Sequence, residues 1–386
     1  MNERYGWIGA ALCRAFVLVC AAVLVLTATA ALLTRAGMPF AGAYTGSVLV
    51  AAVGTLIVSR NGATRVLLPS PAITAWLVYE EIIARGIAWQ DALIVSAVTA
   101  LIGVLLMRTV FMGRMIDGLP PVIRTGLLLS LALGMLTQAA QAARILLPSP
   151  WALTMGGTLS DPLTYFTLTG ILLVLLLSVR GVRAALPLGM LLIGALTWAE
   201  GFWETPAAPF YTPDLSAAFT LMLPQTEPFA AIMLGVMLLL ALTIETMAVL
   251  TARAHEGNAA PLFRLFSVSG VAAFIGAFPL TISPISAVLP GAEKEHHIAG
   301  IPQVAALFAL LLLLLLPCAP LLSAMADFPA VPAIALAVLG LLLVSRALSM
   351  LRHSADTGLR EAAVLSVFLL AAHDIQTGLT LALLVW

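Results

Sequence analysis

Charged residues are scarce in this sequence. Asp, Glu, Lys and Arg make up 9% of its 386 residues, whereas a soluble domain carries about a quarter. A water-facing surface cannot be built from so few charges. The formal net charge is zero, which gives no sign of a nucleic-acid partner. The scarcity of charge therefore excludes a large soluble domain.

Cysteine is rare as well, and the motifs of catalysis are missing. Cys13, Cys20 and Cys318 lie in apolar stretches without metal-ligand spacing, which is typical of small core residues. The sequence has no zinc-type histidine pair, phosphate-binding loop or serine elbow. It therefore predicts no enzyme, and no resident metal or cofactor.

Apolar residues form 62% of the chain and come in long runs, such as 16–33, 229–242 and 304–316. A helix that spans a bilayer needs roughly 20 mostly apolar residues. The composition predicts an all-α, polytopic membrane protein. Arginine outnumbers lysine 17 to 1 in an Ala- and Leu-rich chain, which favours a bacterial source and hence the inner membrane.

Proline, glycine and charged residues divide the chain into 14 candidate transmembrane segments. Their predicted ranges are 12–33, 40–58, 67–82, 91–108, 120–141, 163–179, 184–200, 228–252, 262–278, 281–291, 300–322, 329–349, 360–372 and 375–386. Each crossing reverses the side of the next loop, so the positive-inside rule tests this count. With the N-terminus inside, 15 of the 18 basic residues fall inside and only Arg35, Arg85 and Arg144 outside. Both termini are then cytoplasmic.

The third and tenth segments are interrupted at equivalent places. Pro69 and Pro71 break the third, and Pro279 and Pro284 break the tenth. Proline blocks helix continuation, and non-helical backbone at membrane depth is tolerated only where it is buried or lines a cavity. The pattern predicts two inverted repeats of seven segments with a binding site at the breaks. The alternative is that both stretches are loops.

The repeats divide the chain into three parts. The first repeat covers 1–200 and the second covers 228–386. Between them, 201–227 contains no Lys or Arg and is expected to be an extracytoplasmic loop.

Several stretches resemble one known family. They are Ala36-Gly37-Met38, Gly54-Thr55-Leu56, the run from Pro69 to Tyr79, Ala88-Trp89-Gln90-Asp91-Ala92-Leu93 and Glu245-Thr246-Met247-Ala248-Val249-Leu250. Their order resembles the nucleobase/ascorbate transporter superfamily, and most of all its adenine/guanine/hypoxanthine permease branch. Gly276-Ala277-Phe278-Pro279 is also similar to benzoate and sulfate permeases, which share that fold. The resemblance implies a core domain of segments 1–4 and 8–11 and a gate domain of segments 5–7 and 12–14.

Some positions depart from the family pattern. The carboxylate expected in the tenth segment corresponds to Leu289, and an earlier acidic position in the eighth corresponds to Leu242. The third segment also lacks the family's glycines. The resemblance therefore supports the fold more firmly than the substrate.

Glu245 is the main candidate site residue. It lies about 17 residues into the eighth segment, and no basic residue follows until Arg253. A carboxylate at bilayer depth usually faces a cavity or a partner. It can accept hydrogen bonds from a ring N–H, and burial disfavours its charged form, so it can bind a proton. We predict that Glu245 contacts substrate and carries the coupling proton. The alternative is a structural carboxylate capped by Thr243 or Thr246.

Hydroxyl side chains are predicted to complete the site. The candidates are Ser70 and Thr74 in the third segment, Thr246 beside Glu245, and Thr281, Ser283 and Ser286 in the tenth. The alternative role of these hydroxyls is to satisfy broken backbone.

Together these features predict a secondary active transporter, with proton-coupled uptake of a purine-like nucleobase as the first hypothesis. An organic or inorganic anion permease of the benzoate or sulfate type is the alternative within transport. A non-transporting membrane scaffold or sensor is the alternative from another class. The expected partners are the lipid bilayer, a small solute and a coupling proton, with sodium as the alternative ion. The sequence leaves open the direction of transport and the choice between monomer and homodimer.

Overall fold

The computed structural model describes residues 2–59, 63–109, 121–147, 155–220, 225–252, 260–285, 297–298 and 300–353. The α-helices are α1 (Asn2–Arg35), α2 (Phe40–Val58), α3 (Pro71–Trp76), α4 (Trp89–Met107), α5 (Pro121–Ala142), α6 (Pro162–Val179), α7 (Ala185–Ala199), α8 (Pro228–Ala252), α9 (Ala260–Phe274), α10 (Gln303–Leu314), α11 (Ala319–Ala326) and α12 (Ala330–His353). Predicted segments 360–372 and 375–386, and residues Ser286 and Leu289, lie outside the described residues.

Short strands and two unusual helical turns complete the described structure. The strands are β1 (Leu67–Pro69), β2 (Leu146–Leu147), β3 (Met155–Gly156), β4 (Leu280–Ile282), β5 (His297–Ile298) and β6 (Ile301–Pro302). They form the antiparallel pairs β1–β4, β2–β3 and β5–β6. A π-helix (Leu77–Ala84) continues α3, and a 3₁₀ turn (Leu316–Cys318) joins α10 to α11.

Six helices among the described residues are long and apolar enough to cross a bilayer. They are α1, α2, α4, α6, α8 and α12, and α10 with α11 adds a seventh if that bent pair counts as one span. The chain is therefore a multi-pass membrane protein, as predicted. The count of 14 segments stays a prediction.

The bent pair departs from the predicted segment 300–322, which was expected to be a single span. α10 and the stretch Leu316–Ala326 meet at 44°. Pro317 and Pro320 follow the leucine run directly. Each proline removes a backbone donor and blocks the preceding turn, so the helix tightens and changes direction there.

The described helices pack as two groups. In the first helix group, α1, α2, α8 and α9 contact the β1–β4 pair, while α4 packs on α8 and α9 and α10 packs on α1 and α2. In the second helix group, α5, α6, α7 and α12 pack on one another. The groups touch where α5 meets α8 and where α1 meets α7 and α12.

The segment between α7 and α8 folds onto the first helix group. The N–H of Tyr211 donates to the carbonyl of Pro317 (3.0 Å), and its hydroxyl lies 2.5 Å from Oγ1 of Thr45. The N–H of Phe219 donates to the carbonyl of Phe274 (2.9 Å). Ala217 is buried against Gly276, whose φ of +78° suits glycine. Residues 211–219 are thus fixed to this group.

Candidate functional site

The two proline-broken segments meet inside the first helix group. Strands β1 and β4 pair in the register Leu67↔Ile282, Leu68↔Thr281 and Pro69↔Leu280. The N–H of Ser283 extends the ladder to the carbonyl of Val66 (2.8 Å). Both strands are fully buried. Buried non-helical backbone must be hydrogen-bonded, and here each broken segment satisfies the other.

Neighbouring hydroxyls fix the ends of these strands. The N–H of Leu67 donates to Oγ1 of Thr55 on α2 (3.0 Å). Ser70 follows β1 and caps α3, because its Oγ accepts from the N–H of Ile73 (3.4 Å). Ser283 follows β4 and accepts from Ile285 in the same way (3.4 Å). Each of these serines precedes a proline, which is a favoured start for a helical turn.

Glu245 of α8 lies against this strand pair. The hydroxyl of Thr281 is 3.2 Å from Oε1 of Glu245 and 3.5 Å from the carbonyl oxygen of Leu68. The hydroxyl of Ser70 lies near the Glu245 carboxyl group. Glu245 is half-buried. The carboxyl group thus joins α8 to one residue from each broken segment.

The other predicted site residues take different positions. Thr74 and Ser283 are buried, and the N–H of Thr74 donates to the carbonyl of Ser70 (2.9 Å). Thr246 is fully buried, and its Oγ1 has no hydrogen-bond partner among the described residues. Ser286 lies outside the residues described.

Capping of Glu245 by its own helix is not observed. The Thr243 hydroxyl donates to the carbonyl of Leu239 (2.7 Å) instead. Within the described part of the chain, no Lys or Arg forms an ion pair with Glu245. The partners of this carboxyl group are therefore neutral hydroxyls from the broken segments.

Two further buried carboxylates were not predicted from the sequence. Glu81 in the π-helix pairs with Arg85 (3.0 Å), and the spacing of four residues was the signal for this pair. Oδ2 of Asp91 accepts from the N–H groups of Gln225 (3.0 Å) and Thr226 (2.9 Å) and from the Thr226 hydroxyl (2.6 Å). No local sequence pattern links Asp91 to Gln225 and Thr226, which lie 134 and 135 positions away. Cationic or backbone donors hold both carboxylates, unlike Glu245.

A cavity of about 800 Å³ opens elsewhere, between the two helix groups. We call it the interhelix cavity. Its lining includes Arg35, Phe40, Arg144, Asp161, Phe202 and Asp327. None of the predicted site residues that the structure describes lines it.

Comparison with known proteins places this geometry in context. No family model matches the chain. The guanine/hypoxanthine permease PbuO of Bacillus subtilis (strain 168) is 24% identical over 197 residues. The match covers 48% of this chain and 46% of that permease, so it spans less than half of the relative's length.

Solved structures share the fold over nearly the whole chain. The transmembrane domain of the cyanobacterium bicarbonate transporter BicA superposes with a TM-score of 0.62 at 14% identity, covering 96% of this chain and 97% of that one. SLC26A9 gives a TM-score of 0.61 at 12% identity, covering 97% of this chain and 64% of that one. The murine Slc26a9 anion transporter in its inward-facing state gives 0.55 at 11% identity, covering 96% and 66%.

These comparisons define the class as a multi-pass membrane protein with the fold of BicA and SLC26A9. The resemblance to nucleobase permeases is confirmed by the PbuO match, and the sulfate-permease-like resemblance by the shared fold. At these identities the structural likeness shows the fold alone.

Proposed function

We propose that this chain is a secondary active transporter of the bacterial inner membrane. Its first candidate substrate is a purine-like nucleobase, moved together with a proton. The observation that carries the proposal is the contact of Glu245 with a hydroxyl from each broken segment. Broken segments at matching positions are a pointer to the binding site of an inverted-repeat transporter. The permease match supports the same substrate class.

The Glu245 carboxyl group suits a polar ring. When ionised, it accepts hydrogen bonds and can bind ring N–H groups. Its neighbours Ser70 and Thr281 can both donate and accept, so they can serve the remaining polar atoms of the ring. A hydrogen bond to a charged group contributes about 1.5–3 kcal/mol. One carboxyl group therefore offers a large share of the affinity for a small solute.

The same contacts provide a route for proton coupling. With Glu245 ionised, the Thr281 hydroxyl donates a hydrogen bond to the carboxylate. With Glu245 protonated, the carboxyl O–H donates to Thr281, whose own proton then turns to the carbonyl of Leu68, 3.5 Å away. Proton binding at Glu245 is thereby transmitted to the pairing of β1 with β4. Sodium is the alternative coupling ion.

The proposal includes an architecture. Two inverted repeats, 1–200 and 228–386, form 14 segments around the extracytoplasmic loop 201–227, with both termini cytoplasmic. The first helix group acts as the core domain that carries substrate, and the second as the gate domain. Reporter fusions along the chain test this topology, and a cytoplasmic reporter within 201–227 would contradict it.

A permease for an organic or inorganic anion is the second candidate. Two observations favour it: the shared fold with a bicarbonate transporter and an anion transporter, and Leu289 at the position of the family's second carboxylate. An anion beside Glu245 needs the protonated carboxyl group, since two like charges at bilayer depth repel.

Uptake by the purified protein in proteoliposomes tests the proposal. The substrates are labelled guanine, hypoxanthine, uracil, benzoate, bicarbonate and sulfate, each with and without an inward proton gradient. We expect accumulation of a purine that a protonophore abolishes. Transport of an anion without purine uptake would favour the second candidate. Absence of uptake for all six would favour a scaffold or sensor.

A further inference from the structure

The interhelix cavity is built from both helix groups. Ala31, Thr34 and Arg35 of α1 and Phe40 of α2 line one side. The end of α5 and the start of α6 at Asp161 line another, and Ser323 with residues 326–329 closes it. A volume of about 800 Å³ lies within the usual range of ligand pockets.

The charged lining of the cavity is balanced. Arg144 forms an ion pair with Asp161 (3.4 Å), and Arg35 donates to the hydroxyl of Tyr79 while lying over its ring. Both guanidinium groups therefore have partners. The Asp327 side chain, by contrast, has no hydrogen-bond or ion-pair partner among the described residues. The carboxylate of Asp327 can only accept hydrogen bonds when ionised. It therefore suits a ligand that has N–H donors better than it suits an anion.

An aromatic wall lies beside Asp327. Phe328 and Phe202 stack with ring centroids 4.7 Å apart, and Phe166 meets both edge-on. Phe202 is 37% exposed, and both stacked rings line the cavity. Phe40 adds a third ring to the lining. Ring faces held in fixed positions bind planar rings by offset stacking.

We infer that the interhelix cavity is a second binding site for a neutral, planar nitrogen heterocycle, separate from Glu245. The ring stacks on Phe202 or Phe328, and Asp327 accepts one of its N–H groups. The identity of this ring as the transported solute rests on the proposed function. The evidence for the site itself is the cavity, which is independent of the proposed function because no predicted site residue among those described lines it.

Protection of a cysteine tests this site. Ser323 lines the cavity, and the described cysteines Cys13, Cys20 and Cys318 are free thiols that alanine can replace. In that background, Ser323→Cys is reacted with a small charged methanethiosulfonate reagent in nanodiscs, which leave both membrane faces accessible. We expect hypoxanthine at ten times its Kd to slow the reaction about tenfold, by mass action. Sulfate and bicarbonate should not slow it.

Variants assign the protection to the cavity. Asp327→Asn or Phe328→Leu should raise the hypoxanthine concentration needed for protection about tenfold. The matched controls Glu204→Gln and Phe210→Leu change an exposed carboxylate and an exposed ring outside the lining, and should leave protection unchanged.

The same measurement in Glu245→Ala separates the two sites. We expect protection to persist there even though binding at Glu245 is lost. The second site would be overturned by any of three results. Protection could disappear in Glu245→Ala, it could be absent with and without that change, or sulfate could protect as well as hypoxanthine. Protection without any purine uptake would support the cavity site while refuting the proposed function. Purine uptake without protection would support the proposed function while refuting the cavity site.

Discussion

The two helix groups use their buried hydroxyls differently. In the first, hydroxyls connect separate segments: Thr55 accepts from Leu67, and Thr281 donates to Glu245. In the second, Thr167 and Thr197 donate to carbonyls of their own helix, Leu163 and Ile193, and Thr164 donates to the carbonyl of Ala143 just after α5. Hydroxyls that bond only their own helix occur in the first group as well, and they add no tertiary link. The contact of a hydroxyl with Glu245, among the described residues, distinguishes the first group.

The second group depends on close apolar packing. A Cβ added at Gly170 would lie 2.2 Å from Cδ1 of Ile334, and one at Gly189 would lie 2.3 Å from Cγ2 of Val174. Small residues let membrane helices approach closely. Close packing is found in the first group too, where a Cβ added at Gly103 of α4 would lie 2.5 Å from Cδ1 of Phe266 on α9. The groups therefore differ in the contact of Glu245 with Thr281 rather than in tightness of packing.

The largest expected effect comes from Glu245. Glu245→Ala removes the carboxyl group that accepts from Thr281 and lies near Ser70, and solute binding should weaken about tenfold to a hundredfold. Glu245→Gln keeps the shape and should retain part of the binding, but cannot titrate and should lose proton-driven accumulation. Equilibrium binding and pH-jump uptake measure the two effects.

The control for this change is Glu200→Gln, which alters an exposed carboxylate at the end of α7. It should leave binding and accumulation unchanged. Accumulation by Glu245→Gln at the wild-type level would show that this carboxyl group is not the proton site. Poor folding with normal transport would instead indicate a structural carboxylate.

Packing in the second group should matter for stability rather than for binding. Gly170→Ala places a methyl group against Ile334 and Ile193, and overpacking of this kind costs about 1–3 kcal/mol. Thermal unfolding in detergent measures the loss, while binding per folded molecule should stay constant. Gly134→Ala on α5 is the matched control, because no atom lies within 4 Å of its added Cβ. Equal destabilisation by both changes would refute the packing argument.

The smallest effect is expected from single hydroxyls. Thr281→Val removes one of the two hydroxyl partners of Glu245, and binding should weaken about fivefold to tenfold, roughly 1–1.5 kcal/mol. Thr167→Val is the matched change in the second group, where the hydroxyl serves only its own helix among the described contacts. It should not alter binding. If Thr281→Val and Thr167→Val bound solute equally well, the hydroxyl beside Glu245 would have no special role in binding.

Much of the membrane fold could be predicted because its signals are local. Apolar runs and prolines located most of the described helices, and the two broken segments were found from Pro69, Pro71, Pro279 and Pro284. The bend at Pro317 was missed although prolines mark it. The leucine run before it resembles an ordinary span, and only the 44° angle reveals the break.

The site was predicted less completely. Glu245, Ser70 and Thr281 were predicted because a carboxylate and hydroxyls at membrane depth are unusual. The structure places these three near one another, and their role in binding stays a prediction. The pairing of β1 with β4 was not predictable, since three-residue strands carry no periodic signal and their register depends on tertiary packing. Thr246 shows the opposite case, in which sequence proximity to Glu245 does not become contact.

The segment after α7 is anchored at two points that belong to different groups. Nε1 of Trp203 donates to Oγ1 of Thr197 in the second group (3.1 Å), and Tyr211 is held by the first. Seven residues, Glu204–Phe210, lie between the anchors. A stretch of this length reaches about 25 Å when extended. This stretch joins one group to the other, so its extended length of about 25 Å is the upper limit that it sets on the separation of its two anchors.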